Sequence, residues 1–169
     1  KEFLRKNNKK IEDFIVLYHG GLKESVQQMK KNVDILSIAE KDANYQGETS
    51  GGNRFGLATT TDPKTAETFS KAKNNNEIAK IYLDKNAKIY ETKEQLDNLT
   101  EQELLKLKNK GYDAVKEIGT DGEKEIRILN SDVVYSEEQI KTIQKNKLLP
   151  TKKIEEEIET PTILLTYSD

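Results

Sequence analysis

Phe14-Ile15-Val16-Leu17-Tyr18-His19-Gly20-Gly21 is the stretch from which the fold can be worked out. A run of apolar residues ends in a polar ring and two glycines. That is the pattern of a buried strand stopping at a cleft. The glycines remove side-chain bulk just where a ligand could approach the backbone. His19 is the only histidine in 169 residues. It marks a site only if other parts of the chain supply the rest of one.

The length fits one domain with a real core. Residues 1–150 are read as that domain, with an N-terminal helical lead-in, and 151–169 as a C-terminal tail open to packing on it. The hydrophobic and charged fractions are both 34%, so the core is modest and the surface heavily charged. The net charge is -2 with lysines and glutamates intermixed, which argues against a dedicated nucleic-acid footprint and leaves only a local basic patch open. No apolar run is long enough to span a bilayer. Nothing at the start resembles a signal peptide, and a chain opening on Lys1 reads as a processed or excised fragment. There is no cysteine, which excludes disulfides, thiolate metal sites and a cysteine nucleophile. With one histidine, a zinc site would need carboxylates almost alone. The Lys/Asn-rich composition points to an AT-rich bacterial or phage genome.

Working outward, Leu22 to Asn32 places Val26 and Met29 at helical spacing. Asp42 to Gly56 is rich in glycine and polar residues and reads as a long loop of the kind that is often functional. Leu57 to Thr61 is a short strand. Asp62-Pro63 opens a helix over Lys64 to Lys73, with Asp62 as cap and proline in the first turn; Ala66 and Phe69 share a face, and Asn74-Asn75-Asn76 ends it. Ile78 to Leu83 and Ala87 to Tyr90 are strands. Thr92 to Lys110 holds one or two helices, with Thr100 and Glu103 as a capping box, Leu104, Leu105 and Leu107 inward, and Gly111 as the stop. Tyr112 to Ile118 and Glu125 to Leu129 flank the turn Gly119-Thr120-Asp121-Gly122, a hairpin signal. Asp132 to Tyr135 extends the sheet and Glu137 to Lys147 forms a helix. Short strands with grouped helices indicate α+β, not a doubly wound sheet. No GxGxxG or GxxxxGK[ST] occurs.

Three segments look jointly like one site: Tyr18-His19-Gly20; Gly56-Leu57-Ala58-Thr59-Thr60-Thr61-Asp62 with Ala66 and Phe69; and Gly111-Tyr112-Asp113-Ala114-Val115 with Glu123-Lys124-Glu125-Ile126-Arg127-Ile128-Leu129. Here the chain resembles the ADP-ribosyltransferase superfamily, in particular its diphtheria-toxin-like branch and phage or polymorphic-toxin relatives. In that branch a Tyr-His-Gly strand end holds NAD. A Gly-aromatic-x-Ser/Thr-Thr strand precedes a helix with an Ala-x-x-Tyr pattern, and a late strand opens with a glutamate. The resemblance covers roughly His19 to Ile140. Each motif alone is weak; their order and spacing together are more specific.

The roles can also be argued from chemistry. His19 has a donor on one ring nitrogen and an acceptor on the other, suited to a ribose hydroxyl or an amide. The Gly20 backbone is open to the nicotinamide carboxamide, and Tyr18 lies beside it. Phe69 offers a flat face to a cationic ring, an attraction of order 1 kcal/mol or more when dry. Thr59, Thr60 and Thr61 supply hydroxyls that could orient ribose or the catalytic carboxylate. Breaking the nicotinamide–ribose bond builds positive charge on the sugar, as in glycoside hydrolysis. Glu125, as a fixed carboxylate, would stabilise that charge. Glu123, two residues earlier, shares its face if the segment is a strand. By resemblance to Glu-x-Glu toxins, Glu123 assists an arginine-like acceptor and Gly119 to Gly122 meets the target.

Two positions depart from the pattern. Ala58 stands where an aromatic is usual, with Tyr18, Tyr45 or Phe55 as replacements. His19 stands where the Glu-x-Glu branch has arginine. Plainer readings stand beside the functional ones. His19 could be a satisfied structural histidine, Phe69 plain core, and Thr59 to Thr61 strand propensity with a helix cap. Glu123 and Glu125 could be a solvated hairpin rim, Arg54 a surface side chain instead of a phosphate ligand, and Glu155-Glu156-Glu157 a solvated face. The resemblance implies a split β-sandwich of two small, bent sheets with peripheral helices and a central NAD cleft. It implies transfer of ADP-ribose from NAD to a macromolecule, a protein in the first instance, with nicotinamide released and no metal. Water as acceptor, and a non-catalytic binding module, are the alternatives; a nucleic-acid acceptor is left open. A monomer without a membrane span is expected, as a secreted or delivered effector acting in a target-cell cytoplasm.

Overall fold

The computed structural model describes residues 9–31, 34–39, 55–119 and 125–148, and the side chains as far as residue 145. Residues 1–8, 32–33, 40–54 with Tyr45, 120–124 with Glu123, and 149–169 lie outside the described residues.

After a single 3-10 turn, Ile11–Asp13, the quoted stretch is a strand, β1 (Phe14–Gly20). Alternation along it sends Ile15 and Leu17 into the main core and leaves Val16 exposed. In α1 (Lys23–Met29), Val26 and Met29 lie one turn apart and are both fully buried. A helical segment at 35–39 adds Ile35 and Leu36 to the same core. β2 (Leu57–Thr60) leads into α2 (Pro63–Lys71), whose N-cap Asp62 accepts from the Lys64 amide at 3.1 Å, with Pro63 in the first turn. β3 (Ile78–Asp84), β4 (Ile89–Thr92), α3 (Glu101–Asn109), β5 (Ala114–Glu117), β6 (Glu125–Ile128), β7 (Val134–Tyr135) and α4 (Glu137–Leu148) follow. The capping box of α3 closes in both directions, Glu103 N to Thr100 Oγ1 at 3.1 Å and Thr100 N to Glu103 Oε1 at 2.9 Å. Gly111, with φ +100, ends that helix in a conformation most side chains avoid. One inward residue is corrected. Leu104 is buried and Leu107 packs on it, but Leu105 is 45% exposed. Adjacent helix positions diverge by about 100°, so Leu105 turns away from the face its neighbour uses.

The fold is α+β, built on one seven-stranded mixed sheet of order β4-β5-β6-β2-β1-β3-β7. All neighbours are antiparallel except β4 and β5. The two strands expected to form the hairpin pair antiparallel, with Ala114 opposite Ile128 and Lys116 opposite Ile126, while residues 120–122 of its expected turn lie outside the described residues. The resemblance implies two separate sheets; the hydrogen-bonded order is continuous instead. The join is narrow, however. β1 pairs with β3 at every residue from Phe14↔Asp84 to Gly20↔Ile78, but with β2 only at Tyr18↔Thr60. The sheet therefore has two halves whose backbone register meets at one residue pair.

The main core lies on the face of Leu17, Leu57, Ile81, Ile126 and Ile128, reaching across both halves. On the other face, Phe14, Tyr135, Ile140 and Ile143 form a cluster with Tyr82 at one end. Leu96, Leu104, Val115 and Leu129 form another under α3. Between those two clusters this second face carries a cleft at the join of β1 and β2.

Candidate functional site

Register determines which of the site residues meet. Tyr18 sits opposite Thr60, and Thr60 opposite Glu125. Three strands thus set these side chains in one row on the same face. The row forms the floor of a cleft of about 140 Å³. Its lining comes from β1 (Tyr18, His19, Gly20), β2 (Ala58, Thr59, Thr60), α2 (Thr65, Ala66, Phe69) and β6 (Glu125). Of the sequence-predicted site residues, Tyr18, His19, Gly20, Thr59, Thr60, Phe69 and Glu125 lie on this one cleft, and Thr61 is not in its lining. The volume is below the roughly 300–1,000 Å³ of pockets that enclose a drug-sized ligand. It suits one ring, with the remainder of a larger ligand across the open rim.

His19 holds the join where the backbone ladder ends. Its Nδ1–H donates to the Ala58 carbonyl at 2.7 Å. A carbonyl only accepts, so Nδ1 bears the proton, and in the neutral ring Nε2 bears the lone pair. One nitrogen of His19 is therefore engaged in holding the fold, as the structural reading has it. Gly20 has a different explanation from the one expected. A Cβ there would fall 1.8 Å from the Ala66 carbonyl oxygen and 2.8 Å from Ser70 Oγ. The missing side chain admits the backbone of α2, not only a ligand. The helix is then fastened by a chain of bonds that the sequence did not reveal. Gly21 N donates to Ser70 Oγ at 3.0 Å, and Ser70 Oγ donates to the Glu77 carbonyl at 2.5 Å.

The threonine hydroxyls already have structural partners. Thr59 Oγ1 donates to the Ile126 carbonyl at 2.6 Å, tying β2 to β6, and Thr60 Oγ1 accepts from Asp62 N at 3.1 Å, shaping the start of α2. Thr59 therefore has lone pairs to offer, whereas Thr60, which accepts, keeps its O–H proton. Phe69 is not core: 54% of it is exposed, at the cleft wall. A large aromatic ring left in water beside a cavity is more informative than any buried one. Of the three replacements for the aromatic absent at Ala58, Tyr18 lines the cleft. Phe55 packs against the α3 cluster, with Lys108 Nζ 5.5 Å from its ring centre, and Tyr45 lies outside the described residues. Ala58 itself is exposed.

Glu125 is not a solvated rim. Only 20% of its side chain is exposed. Burial pushes its carboxyl above the ordinary value; the charge and hydrogen bond of Arg127 pull it back, and Asp97 and Glu117 push it up again. Arg127 Nε donates to Glu125 Oε2 at 2.5 Å. Arg127 is not among the sequence-predicted site residues. The signal was present in the alternation of Glu125 and Arg127 on one strand, which puts both on the same face. Glu123 lies outside the described residues. Among the described residues, no three or more His, Asp or Glu side chains cluster as a metal site would require. No helix among them is long and apolar enough to cross a membrane.

The arrangement combines an apolar wall with an exposed aromatic ring, an imidazole and a partly dried carboxylate. It can seat a flat cationic heterocycle on the aromatic face and oppose positive charge developing on a neighbouring atom. No family model, curated protein or solved structure matches the chain.

Proposed function

We propose that this protein transfers ADP-ribose from NAD to a protein acceptor, releasing nicotinamide, and that the narrowly joined sheet corresponds to the split sandwich of an ADP-ribosyltransferase. The observation that supports this most is the meeting of His19 and Glu125 on one cleft. They lie far apart in sequence, and the reaction needs both. In this reading Phe69 and Tyr18 take the nicotinamide ring, and His19 Nε2 meets a ribose hydroxyl. The bond from ribose C1′ to the nicotinamide nitrogen breaks and its electron pair leaves with neutral nicotinamide. The cationic sugar is opposed by the Glu125 carboxylate. The acceptor nucleophile then forms the new bond to C1′ and releases its proton to solvent water.

The test is nicotinamide release and labelling of lysate proteins from labelled NAD, comparing the native chain with Glu125→Gln. Loss of a preorganised charge-stabilising group costs about 10²–10³-fold in rate, so the variant should lose nearly all turnover while its melting curve persists. Unchanged turnover would remove Glu125 from the mechanism. Equal turnover with and without lysate would make water the acceptor. Absence of saturable NAD binding would leave a binding module. The pH dependence has a defined sign. Only the ionised carboxylate opposes a cation, and its folded-state pKa is raised by burial. Activity should therefore rise with pH along a limb lying above the ordinary carboxylate range of about 4.3.

A further inference from the structure

Arg127 is gripped from several directions in a way that a surface arginine is not. Only 6% of its side chain is exposed. Nε donates to Glu125 Oε2 at 2.5 Å, Nη1 donates to the Phe55 carbonyl at 3.1 Å, and Nη2 lies 3.9 Å from Asp97 Oδ1. Gly56 lies against it: with φ +82 it turns in a way most residues avoid, a Cβ there would fall 2.4 Å from the Ile128 carbonyl oxygen, and Cγ and Cδ of Arg127 lie at contact distance, 3.4 Å from the same point. The guanidinium is thus anchored by the chain before β2 and by the turn Leu96–Asn98, and it offers Nε to the carboxylate two residues ahead of it on β6.

Glu125 needs such a partner. Among the described residues Arg127 is its hydrogen-bond partner, through Oε2 alone. The other groups that act on it electrostatically are acidic. Glu117 comes from β5, on the face that Val115 shares with its cross-strand partner Arg127, and Asp97 comes from the 3-10 turn. The remaining neighbours across the cleft are His19 and Tyr18 on β1 and the uncharged Thr60, Thr65 and Phe69. Acidic side chains acting on the same carboxylate repel it. The buried Arg127 guanidinium offsets that repulsion.

We infer that Arg127 is the positioning residue of this site: it holds Oε2 of Glu125 through Nε and thereby fixes the carboxylate with Oε1 left for the cleft. This rests on the reading of Glu125 as the catalytic carboxylate. Arg127 touches no substrate in this scheme. It acts through Glu125 by fixing its rotation and by keeping it an anion where burial and two acidic neighbours favour the protonated form. Lysine can supply the charge but not the fixed Nε–H geometry.

The test uses the full chain, as Arg127→Met and Arg127→Lys, each followed by two measurements. The first is the pH profile of nicotinamide release. The second is a ¹³C titration of the Glu125 carboxyl, assigned by its disappearance in Glu125→Gln. Losing an opposite charge in contact raises a carboxyl pKa by about 1–3 units. Arg127→Met should therefore move both the acid limb and the Glu125 titration upward by about that much. Arg127→Lys should restore most of the titration but lower kcat at the plateau about tenfold, because orientation is lost while charge is kept. If Arg127→Met does not fold, the lysine variant decides. An unchanged plateau in Arg127→Lys, or an unchanged Glu125 titration in a folded Arg127→Met, overturns the inference. Native protein that neither binds NAD nor releases nicotinamide overturns the reaction reading instead. In that case the titration still shows whether Arg127 governs the state of Glu125, and no shift there sinks the inference as well.

Discussion

At the scale of single residues, Phe69 separates a folding role from a binding one. It follows Ala66 by three positions on α2, yet Ala66 is fully buried and Phe69 is 54% exposed. The stripe that fixes the helix thus continues into the cleft as an exposed ring face. Phe69→Ala should leave stability within about 0.5 kcal/mol, as for other substitutions outside the core. The same change should raise the KM for NAD about tenfold, from loss of a stacking contact worth ~1.4 kcal/mol. Thermal melts beside NAD kinetics check this, and a large stability loss with unchanged KM would make Phe69 core after all. Glu125 and His19 were legible as site candidates because their residue types and strand-end positions suit the chemistry. Arg127 was not legible in that sense. Its importance comes from Phe55, Gly56, Asp97 and Glu125 converging on it, and only the last of these is its neighbour in sequence.

At the scale of elements, the helix ends were the most readable parts. Asp62 with Pro63, the Thr100–Glu103 box and Gly111 act through hydrogen bonds within four residues, and all stand where local chemistry puts them. Strand ends were less readable. β5 is Ala114–Glu117, inside the expected Tyr112 to Ile118, because a strand extends only as far as its partners do. Gly20 shows the same limit. Its use is set by α2, about fifty positions away, whose Ala66 carbonyl fills the space a Cβ would need. Gly20→Ala should destabilise the protein by about 1–3 kcal/mol through overpacking. It should also weaken NAD binding, because α2 carries Phe69 and must move off β1. Chemical denaturation with NAD titration tests both, and an alanine tolerated without loss would mean that α2 does not press on β1.

At the scale of the whole molecule, the join between β1 and β2 is the feature on which the cleft depends. One backbone pair, Tyr18↔Thr60, and one side-chain strut, His19 to Ala58, bridge halves that are otherwise well laddered within themselves. Backbone amides on β1 directed toward β2 should exchange with solvent before those directed toward β3, since sparse hydrogen bonding gives low local opening energy. Residue-resolved hydrogen exchange measures this directly. Uniform protection across both edges of β1 would show that the join is as firm as the rest of the sheet.

The sequence by itself determined the α+β class, the strand at Phe14, the capped helices and the residue types available for chemistry. Those follow from side-chain periodicity and short-range hydrogen bonds, which are written along the chain. Tertiary structure alone decided that the sheet is continuous but nearly parted, that Gly20 yields to a helix, and that Arg127 stands behind Glu125. Strand pairing and close packing join residues dozens of positions apart, and their register and depth are set by which surfaces can be buried together.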